Sequence, residues 1–238
     1  MFLITRPSDK ANQTKSMFDS IGLEAFVCPA QKIVPLRPHF NNQTNYQIAI
    51  VTSTYAAHWF VTQDLNVDHI IAIGNATKQT IREHLQYHHC NILVPDKKNS
   101  EGVLDMTLLS SIENQNVLLV KGVDGRDLLE KTIKQRRANL SVLETYRRQS
   151  NISELLIRQV EELPIKCIIV TSTEIAALII QHFPDKWLAG KTWIVASERI
   201  AAFLRERNHS QISVSQGASD TALIEAATQL DEKNGNTS

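Results

Sequence analysis

Six short turns rich in Ser, Thr and Gly carry the residues best suited to meeting a ligand. They are Thr52-Ser53-Thr54, Gly74-Asn75-Ala76-Thr77, Ser100-Glu101-Gly102, the stretch from Gly122 to Arg126, Thr171-Ser172-Thr173, and Ser197-Glu198. Each stands at or near a predicted helix start, where free backbone N–H groups and the helix dipole favour a carboxylate or a phosphate. One such contact is worth roughly 0.3–1 kcal/mol, so several must converge on one polyanion. Ser and Thr also cap helices that bind nothing. For a single turn capping and ligand contact weigh about equally, and it is the repetition that favours binding.

Other chemistries lack their residues. His84 and His88 are spaced i, i+4 with His89 and Cys90 adjacent, but no carboxylate completes a ligand set, so no metal site is expected. Gly74, Gly122 and Gly125 do not form a dinucleotide fingerprint, and there is no phosphate-binding G-x-x-x-x-G-K-[ST] loop. No Ser-His-Asp or Cys-His arrangement stands out for nucleophilic catalysis. Lys134-Gln135-Arg136-Arg137 reads as a solvated helix end favoured by the dipole.

The elements that must position these turns alternate along almost the whole chain. Apolar, β-branched runs at Phe2–Thr5, Ala25–Cys28, Ile48–Thr52, His69–Ile73, Ile92–Val94, Val117–Val120, Ile168–Thr171, Trp193–Ala196 and Ile212–Val214 predict strands. Helical faces lie between them, for example Leu104, Leu108 and Ile112, or Ala222, Leu223, Ala226 and Leu230. Strand–helix alternation with fully apolar strands predicts parallel sheets covered on both faces. Ligands then bind at the carboxyl ends of the strands, where these turns gather.

An internal echo suggests that one plan is used twice. Ile50-Val51-Thr52-Ser53-Thr54-Tyr55-Ala56-Ala57 resembles Ile169-Val170-Thr171-Ser172-Thr173-Glu174-Ile175-Ala176, and each is followed by a second strand and a capped helix. The proline-bearing stretch Pro29 to Pro38 and the polar stretch Tyr146 to Asn151 read as paired crossings between two lobes. Asp231 to Ser238 reads as a polar, disordered tail.

Composition narrows the class. The 238 residues are 42% hydrophobic and 21% charged with a formal net charge of zero, so no basic excess supports nucleic-acid binding. No apolar run approaches the roughly 20 residues that span a bilayer. The start, Met1 to Pro7, reads as a first strand rather than a signal peptide. Cys28, Cys90 and Cys167 are odd in number and widely spaced, which fits a reducing compartment. A cytoplasmic monomer without membrane or nucleic-acid partners is expected.

Taken in order, a set of segments resembles the uroporphyrinogen-III synthase family. They are Ile4-Thr5-Arg6-Pro7, Val51-Thr52-Ser53-Thr54, Ile73-Gly74-Asn75-Ala76-Thr77, Ser100-Glu101-Gly102-Val103-Leu104 and Lys121-Gly122-Val123-Asp124-Gly125-Arg126. Thr145-Tyr146-Arg147-Arg148, Thr171-Ser172-Thr173 and Gly217-Ala218-Ser219-Asp220-Thr221-Ala222-Leu223 complete the set. Each is weak alone; their order, from Leu3 to about Ala227, is specific. Two departures stand out: no glycine in Gln135 to Val142 before the strand leading to Tyr146, and Asn208-His209 in the last helix–strand turn where a glycine is usual.

The resemblance implies an α/β protein of two similar flavodoxin- or Rossmann-like lobes, joined by a two-stranded connector, with a cleft between them. Residues 1–34 and 151–238 would form the first lobe and 35–150 the inserted second. It implies a linear tetrapyrrole substrate, hydroxymethylbilane, cyclised with loss of water and inversion of the last pyrrole through a spiro intermediate, in haem biosynthesis, without a cofactor. Tyr146 would hydrogen-bond the leaving hydroxyl. Arg6, Ser53, Gly74, Asn75, Ala76, Thr77, Ser100, Glu101, Gly102, Gly122, Arg126, Thr171, Ser172, Thr173 and Ser197 would meet the substrate's carboxylates. The competing reading from fold class alone is a two-lobed, non-enzymatic binder of small anions or tetrapyrroles.

Overall fold

The computed structural model describes residues 1–40, 44–84, 90–123, 125 and 127–235. The chain divides into two compact units, Met1–Lys32 with Gln149–Ser238, and Ile33–Arg148. It opens in the first unit with β1 (Phe2–Ile4), α1 (Ser8–Ser20) and β2 (Ala25–Val27). β3 (Gln31–Pro35) leads into the second unit, followed by β4 (Tyr46–Val51), α2 (Thr54–Phe60), β5 (Val67–Ala72), α3 (Asn75–Arg82) and β6 (Asn91–Leu93). That unit continues with α4 (Ser100–Leu104), β7 (Asn116–Gly122), α5 (Leu128–Gln135) and β8 (Asn139–Ser150). The chain returns to the first unit with α6 (Glu154–Glu161), β9 (Cys167–Val170), α7 (Thr173–His182) and α8 (Asp185–Leu188). β10 (Thr192–Val195), α9 (Glu198–Arg205), β11 (Ile212–Val214) and α10 (Asp220–Gly235) end it.

The first unit's sheet runs β11-β10-β9-β1-β2, with every neighbouring pair parallel. Its strands are buried on both faces: Leu3 packs with Ile175 and Ile200 on one side, Phe2 and Ile4 with Phe18 and Leu223 on the other. The second unit's sheet runs β3-β8-β7-β4-β5-β6, parallel from β8 to β6. Here Ala49 and Val51 face Ala57 and Phe60, while Ile48 and Ile50 face Val103, Leu129 and Ile133. Burying alternate residues on opposite faces explains why these strands read as unbroken apolar runs.

All nine predicted strands are present. Three expectations change. The polar stretch from Tyr146, given no strand in the sequence reading, is the end of one, because β8 continues through it to Ser150. The face Leu104, Leu108, Ile112 is not one helix: α4 stops at Leu104, and a single 3-10 turn at Thr107–Leu109 carries the chain on. The tail from Asp231 instead prolongs α10 to Gly235, since Asp231 and Glu232 stand on a helix already anchored by buried Leu223, Ala226 and Ala227.

Candidate functional site

In each sheet the strand order reverses once, between β1 and β9 in the first unit and between β4 and β7 in the second. Ligands of doubly wound sheets bind at the carboxyl end of such a crevice. In the second unit a pocket of about 510 Å³ opens there, lined by residues that include Thr52, Ser53, Asn99, Ser100, Glu101, Lys121, Gly122, Tyr146 and Arg148.

Its walls follow from local chemistry. Ser53 caps α2, its Oγ accepting from the Ala56 N–H at 3.1 Å. Thr52 is tied to β7, with both its N–H and its hydroxyl donating to the Val120 carbonyl at 3.1 Å. Asn99 caps α4 by accepting from the Gly102 N–H at 2.8 Å. A Cβ on Gly102 would stand 2.0 Å from the Lys97 carbonyl oxygen, so this turn closes only around a glycine.

The opposite wall comes from the ends of β7 and β8. Their register shifts between Lys121 and Gly122, so Lys121 pairs with Glu144 but Gly122 pairs with Tyr146. That irregularity sets the Tyr146 ring directly against a residue without a side chain. A Cβ at Gly122 would lie 2.6 Å from Tyr146 Cζ and 3.0 Å from its Oη. Tyr146 is 4% exposed, and its ring lies 5.4 Å from that of Tyr55. The Arg148 guanidinium sits 5.5 Å from the ring centroid, with Nη2 3.5 Å from the phenol oxygen as donor.

Lys121 is a cation directly after the apolar run Val117–Val120 of β7, only 5% exposed. Its ammonium lies 3.7 Å from Glu130 and 3.9 Å from Glu144, beyond hydrogen-bond length from either. A hydrogen bond from Lys134, with the charges of Lys134 and Lys121, holds the Glu130 carboxyl below its usual range against a smaller opposing effect of burial.

The structure thus brings together Ser53, Ser100, Glu101, Gly122 and Tyr146 of the expected residues, with Gly102 shaping the adjoining turn. Gly74, Asn75, Ala76 and Thr77 open α3 just beyond Ile73, which lines the pocket, but do not line it themselves; Thr77 is buried. Arg126 lies outside the described residues. In the first unit Thr171, Ser172 and Thr173 follow β9, and the Ser172 hydroxyl caps α7 by accepting from Ile175 at 3.2 Å. Ser197 precedes α9 and makes no capping hydrogen bond with its side chain.

Arg6 is tied into the fold of the first unit. It is 5% exposed and its guanidinium is committed within the fold: it pairs with Asp220, and donates to the Ala218 carbonyl at 2.9 Å and to Thr14 at 2.8 Å. Thr14 also donates to Asp220 at 2.6 Å. This cluster fastens the start of α10 to the turn after β1. Three of its five N–H donors are thus engaged within the fold.

Thr52, from the first of the Ser- and Thr-rich turns, also lines the pocket, whereas Lys121, Arg148 and Asn99 were not expected there although Lys121 and Arg148 lie inside the family segments. The available signal was a lysine ending an apolar strand beside a glycine. Among the described residues no group of three His, Cys, Asp or Glu side chains could hold a metal ion. His88 and His89 of the histidine cluster lie outside the described residues.

Parallel sheets of this doubly wound order, with a polar pocket bearing Lys121, Arg148 and Glu101 at the crevice of one of them, define the class: an α/β protein of the doubly wound kind. The model of the HEM4 family, uroporphyrinogen-III synthase HemD, matches residues 12–225. The chain is 26% identical to the uroporphyrinogen-III synthase of Escherichia coli, over 94% of this chain and 98% of that one. It is 30% identical to that of Proteus mirabilis over 61% of this chain and 79% of the relative. Its fold matches a mutant uroporphyrinogen III synthase of Thermus thermophilus, with a TM-score of 0.66 at 13% identity over 98% of both chains. The synthetase of Helicobacter pylori gives 0.66 at 14% identity, covering 96% and 98%. The chain belongs to the uroporphyrinogen-III synthase family.

Proposed function

We propose that this chain is a uroporphyrinogen-III synthase, a lyase that closes hydroxymethylbilane into the inverted type III macrocycle with release of one water. The observation that carries the reading is the placement of Tyr146, in a chain of this family, against Gly122 at a pocket bearing Lys121 and Arg148.

The reaction begins with loss of the terminal hydroxyl. The pyrrole nitrogen's lone pair expels it while a donor supplies a proton, so water leaves and an azafulvene cation remains. The electron-rich terminal ring then attacks that carbon through its substituted position, giving the spiro intermediate. Cleavage and re-closure invert the ring, and loss of one ring proton restores aromaticity. Tyr146 suits the first step because its phenol O–H is a hydrogen-bond donor at the pocket wall. The phenolate so formed is reprotonated by the proton released at the last step, and the balance closes on water alone.

Orientation carries the rest, because the unguided chain closes to the non-inverted isomer. Lys121 and Arg148 are placed to pair with carboxylates by charge-assisted hydrogen bonds. Ser53, Ser100, Glu101 and Gly122 contribute hydroxyl and backbone N–H donors, and the turns of Gly74 to Thr77, Thr171 to Thr173 and Ser197 offer more. Arg126 retains its expected role as a carboxylate partner. In this reading the lobes are residues 1–34 with 151–238 and residues 35–150, each bound within two residues of those of the compact units, with β3 and β8 as the connector. Action as a cytoplasmic monomer is part of this proposal; no described helix is long and apolar enough to cross a membrane.

Purified protein incubated with freshly made hydroxymethylbilane, followed by oxidation and separation of isomers, tests the reading. A dominant type III product without added metal or nucleotide is expected. A ratio equal to the protein-free control rejects it. Tyr146→Phe is expected to lower kcat by about 10²-fold or more with little change in KM; unchanged turnover would remove Tyr146 from the chemistry.

A further inference from the structure

On the far side of Tyr146 lies a second pocket of about 270 Å³, lined by Ile33, Pro35, Tyr55, His58, Trp59 and Tyr146, with Thr145. Its character differs from that of its neighbour. Tyr55, His58 and Trp59 are spaced i, i+3, i+4, so α2 presents them on one face, while Ala56, Ala57 and Phe60 are buried on the other. His58 is exposed, and Tyr55 and Trp59 are partly buried, and all three reach the pocket wall. The indole of Trp59 is braced from behind by Phe40, edge to face at 5.3 Å. Tyr55 is braced by Tyr146 at 5.4 Å. The rings are therefore held in place before anything binds.

We propose that this aromatic pocket seats one pyrrole ring of the substrate, with that ring's acid side chains reaching the polar pocket beside Tyr146. Three features commit it to this occupant. Its volume is below the roughly 300–1,000 Å³ of sites for drug-sized ligands, so it takes one small ring and not a tetrapyrrole. Four of its lining residues, Tyr55, His58, Trp59 and Tyr146, carry flat π-rings, which recognise a flat π-system by stacking without reading its substituents. It shares the Tyr146 wall with a pocket that carries Lys121 and Arg148, so a ring bearing carboxylates satisfies both compartments at once. The seat places an electron-rich ring next to the phenol assigned to proton donation. This inference rests on the proposed function for the identity of the ring and goes beyond it in naming the site.

Porphobilinogen, a monopyrrole carrying one acetate and one propionate, is the probe. Titration into the intact protein, followed by calorimetry and by tryptophan emission, should show saturable binding with an emission change from Trp59. Trp59→Phe should keep the affinity within about threefold, because a ring still stacks, and lose that emission change. Trp59→Ala should weaken binding about tenfold or more, from the usual worth of one stacking contact. Glutarate, which has the two acids and no ring, should leave Trp59 emission unchanged. The proposal is overturned if porphobilinogen does not bind, if it binds with full heat but no Trp59 signal, or if glutarate reproduces the signal. Type III product from a protein that fails this titration would leave the enzyme reading intact and remove the seat. A normal titration without type III product would do the reverse.

Discussion

Gly122→Ala is the sharpest test of how the candidate site is built. The glycine's φ is outside the left-handed region, so alanine fits the backbone and any penalty must come from the new methyl. That methyl would stand 2.6 Å from Tyr146 Cζ, 2.8 Å from Cε2 and 3.0 Å from Oη. Carbon atoms settle at about 3.5–4.0 Å, so the ring must retreat by about 1 Å. It has little room, since Tyr146 is 4% exposed and packs on Tyr55. Overpacking of this kind costs about 1–3 kcal/mol, which for a chain of this length lowers Tm by several degrees. A misplacement of about 1 Å in a catalytic group can cost about a hundredfold in rate. Thermal unfolding and the isomer ratio from hydroxymethylbilane read the two effects separately. In a Tyr146→Ala background the stability penalty should vanish, because the clash has lost its partner. A Gly122→Ala protein with unchanged Tm and unchanged turnover would refute the wedge of Tyr146 against Gly122.

Arg6→Met separates the two roles considered for that residue. Removing one partner of a buried ion pair should destabilise the fold by about 3–5 kcal/mol, while KM measured on the folded protein at low temperature stays within about threefold; a large rise in KM at normal stability would return Arg6 to substrate binding. Arg137, at φ 60°, adopts the left-handed conformation, which costs an ordinary residue roughly 1–2 kcal/mol. Its ion pair with Glu113 is exposed and worth little, so Arg137→Gly should raise stability by about 0.5–1 kcal/mol, read as a small increase in Tm. Burial pushes the Cys28 and Cys167 thiols up to about 12, so neither should react with Ellman's reagent at pH 8 until the chain unfolds. The folded state keeps protons that unfolded thiols lose near pH 9, so these two groups make stability fall as pH rises from about 9 toward 12. Cys28→Ala should flatten that limb in denaturant titrations at pH 8 and 10.

Much of the fold was legible because each sheet is covered on both faces. A strand such as Ile48–Val51 sends alternate side chains into two separate cores, and the sequence must then be apolar at every position. β3 and β8 were harder. β3 is the edge strand, and β8 beside it runs on past Tyr146, its last residue paired with β7, so polar residues such as Arg147, Arg148 and Gln149 stand exposed there. A run like that reads as a loop. The 3-10 turn after α4 was hidden for a related reason, since Leu104 and Ile112 are both buried although no single helix joins them.

The two missing glycines show how sequence departures can be conformationally silent. Arg137 and Asn208 have φ values of 60° and 64°, the backbone a glycine would take at the end of a helix. At both places the same pair of bonds closes the helix: Ala138 N–H to Ile133 O at 3.4 Å with Arg137 to Lys134 at 3.0 Å, and His209 to Leu204 at 3.1 Å with Asn208 to Arg205 at 3.0 Å. Gly22 ends α1 in the same way, with Leu23 N–H to Phe18 O at 3.0 Å and Gly22 to Asp19 at 3.1 Å. The turn is therefore kept in all three, and only its residue differs; asparagine tolerates it and arginine bears a local strain. Site residues follow a different logic. Lys121 and Arg148 became visible only when the register shift between β7 and β8 brought Gly122 opposite Tyr146, and a shift of one residue in strand pairing leaves no mark in composition or periodicity. What the sequence did carry was the glycine itself, the one residue type that allows that approach.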